Sequence, residues 1–448
     1  MGRSAVHSVA VARGVLPTSG GYPDPASDTW VPFGVEKGFA TFFGTGEDPT
    51  ADIELVGAVP DSYSPPTPAN PKNTTGGALF GADAGDLIRR LISDGVDLRF
   101  PMYNVDGVSF ATHLAHPQYQ ILASVLGYEV PGAATDTVNG ASADATTHTA
   151  TTVAPYFIGE VLSVTRNGMT EYAVVTDIDG NDVSVYPDWE GGLLANGVTV
   201  RHHITFRPRT GAVSSANYIH LRFDAEGLRR YAFNCVASKI VIEPVEDTQN
   251  SGAGPVYMTV TIRPGSKTIL TDNANAATVT YTPTGTGVAT QLQACRRYGD
   301  DLVSALAEPA QGAASSWPLR KWTITIEPTI TSDGLGCSPI IAESGVTVGR
   351  NRAAIAFEAA GSDLYDRGIV DQEQRPYVIG CGPADDGFAF FLLAGHLEST
   401  EKFSEDDGET QVVSGTLRNG AWTLDDDLGD PVANPTANTS FRLGFPMP

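Results

Sequence analysis

The sequence predicts a mainly β protein: a β-sandwich with a flanking α-helix, a small inserted β-barrel and a C-terminal β domain. Three observations carry the prediction. Runs of alternating β-branched residues recur, and two of them echo each other as Lys239-Ile-Val-Ile-Glu-Pro244 and Trp322-Thr-Ile-Thr-Ile-Glu-Pro328. Turn formers are abundant, with 48 Gly and 30 Pro in 448 residues. Helical periodicity is confined to a few short segments. A chain of this length is expected to divide into two or three domains and can bury a core without metals or crosslinks.

Residues 1–33 are rich in Gly, Pro and Ser and read as an N-terminal arm. The sandwich domain is expected over 34–152 and 208–310. Its first strand is Lys37-Gly-Phe-Ala-Thr-Phe-Phe43, followed by a Pro-rich loop over 60–80. Leu87, Ile88, Leu91 and Ile92 mark a short amphipathic helix over 83–94, and Asp97–Tyr103 reads as a strand. The longest expected helix starts at Pro117 and stops at Gly127, with Tyr119, Leu122, Ala123 and Leu126 on one face. Residues 132–152 are polar and of low complexity, and read as a linker or exposed loop.

The texture then changes. Gly159–Thr165, Glu171–Asp177, Asp182–Tyr186 and Gly197–Phe206 are strand-like, with Asn167-Gly168 and Asp179-Gly180-Asn181 as turns. So many short strands close together predict the inserted barrel at 153–207. The sandwich resumes with a hairpin turning at Glu226-Gly227, a strand through Cys235–Ile242, and an answering strand at Val256–Ile262. Gln291–Glu308 is a second helical candidate. The C-terminal β domain, 311–448, opens at Trp322 and continues with strands near 346–348, 353–357, 377–379, 388–394, 411–417 and 441–443.

Charge and motifs exclude several functions. Asp and Glu number 52 against 28 Lys and Arg, a formal charge of −24. That balance opposes a nucleic-acid grip, which needs clustered cations, but suits a wall past which a polyanion moves without sticking. Cys235, Cys295, Cys337 and Cys381 are too far apart for a zinc ribbon or redox motif and are read as buried hydrophobes. Asp177-Ile-Asp-Gly-Asn-Asp182 echoes a calcium loop, but position twelve is Asp188 and the flanks are strands, so a hairpin turn is expected. The acidic clusters at 385–386, 405–407 and 425–427 read as solvated loops.

His202 and His203 are adjacent in a strand and must point to opposite faces. His113 and His116 flank a helix entrance, while His148, His220 and His396 stand alone. Gly380-Cys381-Gly382 lacks an assignable histidine partner, and no Gly-x-Ser-x-Gly, phosphate loop or dinucleotide fingerprint occurs. No catalytic, cofactor-binding or metal site is predicted, no cofactor is expected, and the protein is not expected to be an enzyme. The N-terminus lacks a sustained apolar run and no window approaches 18 apolar residues, so neither a signal peptide nor a membrane partner is expected.

The order of parts, with Asn234-Cys235-Val236-Ala237-Ser238 leading to Pro244, then Val256–Ile262, and preceded by Leu221–Tyr231, resembles the tail tube (major tail) proteins of long-tailed bacteriophages. The family pattern has Gly before the Cys; here it is Asn234. The insert over 159–200 looks like a barrel carried by some larger members, and the segment from Phe388 is similar to their closing strands. The resemblance spans roughly residues 34–425 as a pattern rather than a run of identities. It implies a tube-forming β-sandwich in the virion, assembled in the host cytoplasm as hexameric or pseudo-hexameric trimeric rings that stack into the conduit for genome delivery. Implied partners are further copies of the chain, a tape measure protein, tail terminator and distal tail proteins, and viral DNA passing without specific binding. The rivals are another virion structural protein (distal tail or baseplate ring, capsid decoration) and a β-rich polysaccharide-active enzyme or adhesin.

Overall fold

In the computed structural model the described residues are 6–13, 31–36, 52–56, 96–104, 117–142, 144–166, 169–186, 188–189, 192–214, 217–225, 228–244, 256–265, 269–272, 288–289, 319–338, 340–360, 375–381, 387–404, 411–419 and 441–447. They are overwhelmingly β. The N-terminal strands are β1 (Val6–Arg13), β2 (Val31–Glu36), β3 (Asp52–Val56), β4 (Val96–Pro101) and β5 (Tyr103–Asn104). The helix α1 (Pro117–Ala123) follows, then β6 (Gly127–Glu129), β7 (Thr135–Thr137), β8 (Thr147–Thr149), β9 (Val161–Arg166), β10 (Met169–Asp179), β11 (Asp182–Tyr186) and β12 (Thr199–Arg207). The central strands are β13 (Gly211–Ala212), β14 (Ile219–Ala225), β15 (Leu228–Pro244), β16 (Val256–Arg263), β17 (Ile269–Asp272) and β18 (Val288–Ala289). The last six are β19 (Leu319–Ser338), β20 (Ile340–Ala360), β21 (Arg375–Cys381), β22 (Phe388–Ser404), β23 (Gln411–Asn419) and β24 (Phe441–Pro446).

The strand β15 organises the body. Its first half pairs with β14 and β17, its second half with β16 and β19. The change of partners falls at Asn234, whose φ of 53° makes it the one described non-glycine residue in the left-handed region. Asn tolerates that conformation better than most L-residues, so a strand otherwise built of β-formers can bend there. Gly265 receives the bend: a Cβ at that position would lie 2.3 Å from the Asn234 carbonyl oxygen. From β15 the pairing runs through β14, β1, β2 and β3 on one side and through β16 and β4 back to β3 on the other. These strands therefore close on themselves around a shared core that includes Leu98, Phe100, Ile240, Met258 and Val260.

The sheet also extends outward from β15 through β19, β20, β23 and β22 to β24. The two Ile-Glu-Pro echoes are direct neighbours, with Ile240 opposite Ile326 and Ile242 opposite Ile324. Trp322, Ile355, Phe388 and Phe445 pack in the same hydrophobic core as Leu98 and Ile240. The expectation of a separate C-terminal domain over 311–448 is thereby corrected: β19 is bonded edge to edge to β15 and shares its apolar face. The N-terminal arm is corrected as well. Val6–Arg13 is a strand held between β14 and β2, with Val11 fully buried, because Val9 and Val11 supply an alternation that the surrounding Gly and Pro obscure.

The inserted barrel is larger than expected. Its pairing runs β7–β12–β9–β10–β11–β8. A bridge between Val138 and Ala150 returns β8 to β7 and closes the ring. Residues 132–152 are thus no linker; they contribute two of the six strands. Closure removes the unpaired edges that a short Thr-rich hairpin would otherwise expose. The Asp179-Gly180-Asn181 turn forms as expected between β10 and β11, with Gly180 at φ 62°. The barrel has its own core of Leu162, Ala173, Val183, Val185, Trp189 and Val200.

Helix α1 begins at Pro117 as expected but ends at Ala123, since Gly127 already starts β6. Tyr119 packs against Phe206 and Phe445, and Ser124 Oγ accepts a hydrogen bond from the Ala237 N–H at 3.1 Å. The expected helices at 83–94 and 291–308, the Lys37–Phe43 strand and the 60–80 loop lie outside the described residues.

Candidate functional site

Two regions concentrate the polar chemistry. The first is the seam between barrel and body, built on β12. The N-terminal half of this strand pairs with β7 and β9 in the barrel, its C-terminal half with β24 and β6 in the body. His202 and His203 sit at the changeover, both fully buried and, as strand alternation requires, directed to opposite sides. His202 Nδ1 meets Glu160 Oε1 at 2.7 Å, and the Tyr156 ring stands edge-on to its imidazole at 4.5 Å. His203 Nε2 meets Ser163 Oγ at 2.9 Å on the other side, beside Tyr172.

Burial sets the proton affinities. It raises the Glu160 carboxyl to about 7, against the opposing pull of His202. It lowers His203 to about 3, with the Arg201 charge adding to the effect. His148, fully buried inside the barrel against Trp189 and Tyr156, is lowered to about 4 by burial although Asp136 and Asp182 oppose the shift. Neither His148 ring nitrogen has a hydrogen-bond partner. Tyr156 is pushed up, first by burial, and donates to Asp136 Oδ2 at 3.3 Å. Glu160 and Ser163 lie 42 and 40 residues from their histidines, so no sequence spacing could have paired them.

The C-terminal strand clamps this seam. Arg442 is fully buried and its Nε donates to the Gly159 carbonyl at 2.9 Å; burial lowers its guanidinium to about 9. Gly159 has φ 87°, and a Cβ there would lie 2.7 Å from the Arg442 guanidinium. Gly444 lets β24 approach Val161, where a Cβ would come within 2.6 Å. Arg201 donates to the Met447 carbonyl at 2.8 Å.

The second region is the open face of the sheet formed by β4, β16, β15, β19, β20, β23 and β22. Burial alternates along it, most clearly in β16, where Val256, Met258, Val260 and Ile262 point to the core. The outward positions carry short Thr, Ser and Ala side chains (Thr259, Thr325, Ala356, Thr416) interspersed with charges. Those charges are paired across strands: Arg99 with Glu243 at 3.6 Å, Lys239 with Glu327 at 3.3 Å, Lys321 with Glu358 at 3.6 Å, and Arg418 with Glu398. Arg352 stands opposite Glu327 from the other side, and the Arg99 guanidinium lies over the Tyr257 ring at 4.8 Å. At such exposure each pair contributes only about 0–1 kcal/mol to stability.

The remaining residues singled out from the sequence fall apart spatially. Cys235 and Cys381 are both fully buried in the hydrophobic core, as hydrophobes should be. Gly380 and Cys381 are embedded in β21, where a Cβ on Gly380 would meet the Tyr172 ring at 2.3 Å. His220 is buried and accepts from the Asn234 N–H at 3.2 Å, while His396 is half-exposed in β22. His113, His116, Cys295 and the three acidic clusters lie outside the described residues, as does the side chain of Cys337. Among the described residues no group of three or more His, Cys, Asp or Glu is placed to hold a metal ion, and no helix is long and apolar enough to cross a membrane.

Of the described seam residues, Glu160, Ser163, His202 and His203 are fully buried, and their contacts join the barrel to the body. No protein-family model matches the chain, and no characterised protein matches it in sequence.

Proposed function

We propose that this chain is a structural virion subunit that assembles into rings, and that the rings stack into the hollow tail tube through which a viral genome is delivered. The observation that carries the reading is the sheet around β15. The segment Asn234–Pro244, on which the resemblance to tail tube proteins rests, is the strand about which the whole body turns. A sheet that passes through one bent strand into a second row of strands is suited to continue into neighbouring copies. Among the described pairings, β17 bonds only to β15 and β21 only to β22, so each offers a second edge to a neighbour.

In this reading each chain supplies one tube unit and six chains complete a ring. The barrel, closed and clamped by β24, projects as a decoration. A tape measure protein would occupy the lumen during assembly, with terminator and distal tail proteins at the ends and DNA passing through afterwards; none of these needs a cofactor.

Negative-stain electron microscopy and sedimentation of the purified full chain test the reading. Rings of six, or tubes built from them, are expected. A monodisperse monomer at all concentrations, joined by hydrolytic activity on polysaccharide, would favour the enzyme alternative instead.

A further inference from the structure

We infer that the barrel is a docked module, and that a proton taken up by His203 releases it from the body.

The chain passes between barrel and body at two neighbouring places, the link over 130–134 between β6 and β7 and the passage of β12 through His203. The His202 N–H donates to the Ala134 carbonyl at 2.9 Å and holds the two crossings side by side. Beyond them the barrel rests side-on against the body. Val161, Tyr172 and Val174 on its outer face pack with Val378, Phe391 and Leu393 of β21 and β22, in a cluster separate from both larger cores. Gly380 leaves the seat for the Tyr172 ring, and Gly444 the seat for Val161.

His203 is fully buried in this contact. Ser163 of β9 meets its Nε2 at 2.9 Å, and Tyr172 of β10 stands edge-on with ring centroids 6.0 Å apart. Arg201 and His202 on its own strand oppose a proton, and the Gly444 carbonyl of β24 favours one; no described carboxylate acts on it. The body adds a second buried cation, Arg442, with Arg207 and Glu129 near it. A charged His203 would therefore sit uncompensated among apolar side chains, and undocking returns it to water. A free imidazole takes its proton near 6.5, the docked one only at about 3. Docking is thus at full strength above 6.5 and weakens about tenfold for each pH unit below it, down to the docked value. Glu160, His202 and His148 are bonded or packed on the barrel's own side, around Tyr156, and move with the barrel.

Two amides report the docked state. The Val161 N–H donates to Thr205 Oγ1 at 3.0 Å, and the Met447 N–H to the His202 carbonyl at 3.0 Å, each across the contact. The Val185 N–H, bonded to the Thr146 carbonyl at 2.7 Å, reports the barrel itself. The test is hydrogen exchange of the full chain, resolved to these amides by mass spectrometry and corrected for the intrinsic pH dependence of exchange. Between pH 6.5 and about 4.5, Val161 and Met447 are expected to lose protection about 100-fold and to exchange ahead of Val185 at every pH. In His203→Gln the loss is expected to vanish; His203→Leu takes its place if the glutamine variant does not fold. Protection at Val161 and Met447 that is unchanged by pH, that falls equally in the variant, or that never drops below that of Val185 overturns the inference.

Discussion

Glu160 and His148 are buried in the same barrel and respond to pH in opposite directions. The folded state keeps the proton on Glu160 up to about pH 7, whereas the unfolded chain releases it near 4.5. Glu160 therefore favours the fold below 4.5, and this is lost as pH rises toward 7. The folded state keeps His148 neutral down to about pH 4, whereas the unfolded chain protonates it near 6.5. His148 therefore favours the fold above 6.5, and this is lost as pH falls toward 4. His203, lowered to about 3, adds a loss of the same sign as that of His148, so between roughly 4.5 and 6.5 Glu160 offsets one of the two histidine slopes. Glu160→Gln is expected to steepen the acid loss by on the order of 3 kcal/mol across that range. His148→Leu is expected to flatten it. Urea denaturation at a series of pH values, each variant compared with the parent, checks both signs. Asn234 gives a second prediction. At φ 53° a Cβ is tolerated poorly unless the side chain is Asn or Asp, so Asn234→Ala should cost about 1 kcal/mol while Asn234→Gly is nearly neutral, read from the denaturation midpoint.

At the scale of elements, β12 and β24 decide whether the barrel is fixed to the body. Gly444 lies against Val161, and a methyl group there has no room to be accommodated by a flexible side chain. Gly444→Ala should cost about 1–3 kcal/mol and speed amide exchange at Ile204 and Phe206, whose partners across the ladder are on β24, while Leu162 and Val185 inside the barrel exchange as before. Equal acceleration throughout would mean that barrel and body open together. The strands themselves were legible where β-branched alternation is dense, as in β15, β16 and β19. β7 and β8 were not, because Thr135-Asp-Thr and Thr147-His-Thr offer almost no apolar signal; closure of the barrel makes them strands, and of their six side chains His148 alone is buried. β1 was hidden by the Gly and Pro that follow it. The Glu160–His202 and Ser163–His203 contacts join residues far apart in sequence and had no local signature.

At the scale of the whole molecule, the two Ile-Glu-Pro echoes are antiparallel neighbours, with Ile240 opposite Ile326 and Ile242 opposite Ile324 within a single core. The assembly proposed above uses that continuity, with neighbouring copies extending the sheet. The most direct measurement is a cryo-electron microscopy reconstruction of particles formed by the purified full chain. The account predicts stacked six-membered rings in which β-sheet hydrogen bonding passes from one chain to the next. A particle with a single chain, or rings held together only through the barrels, would contradict it.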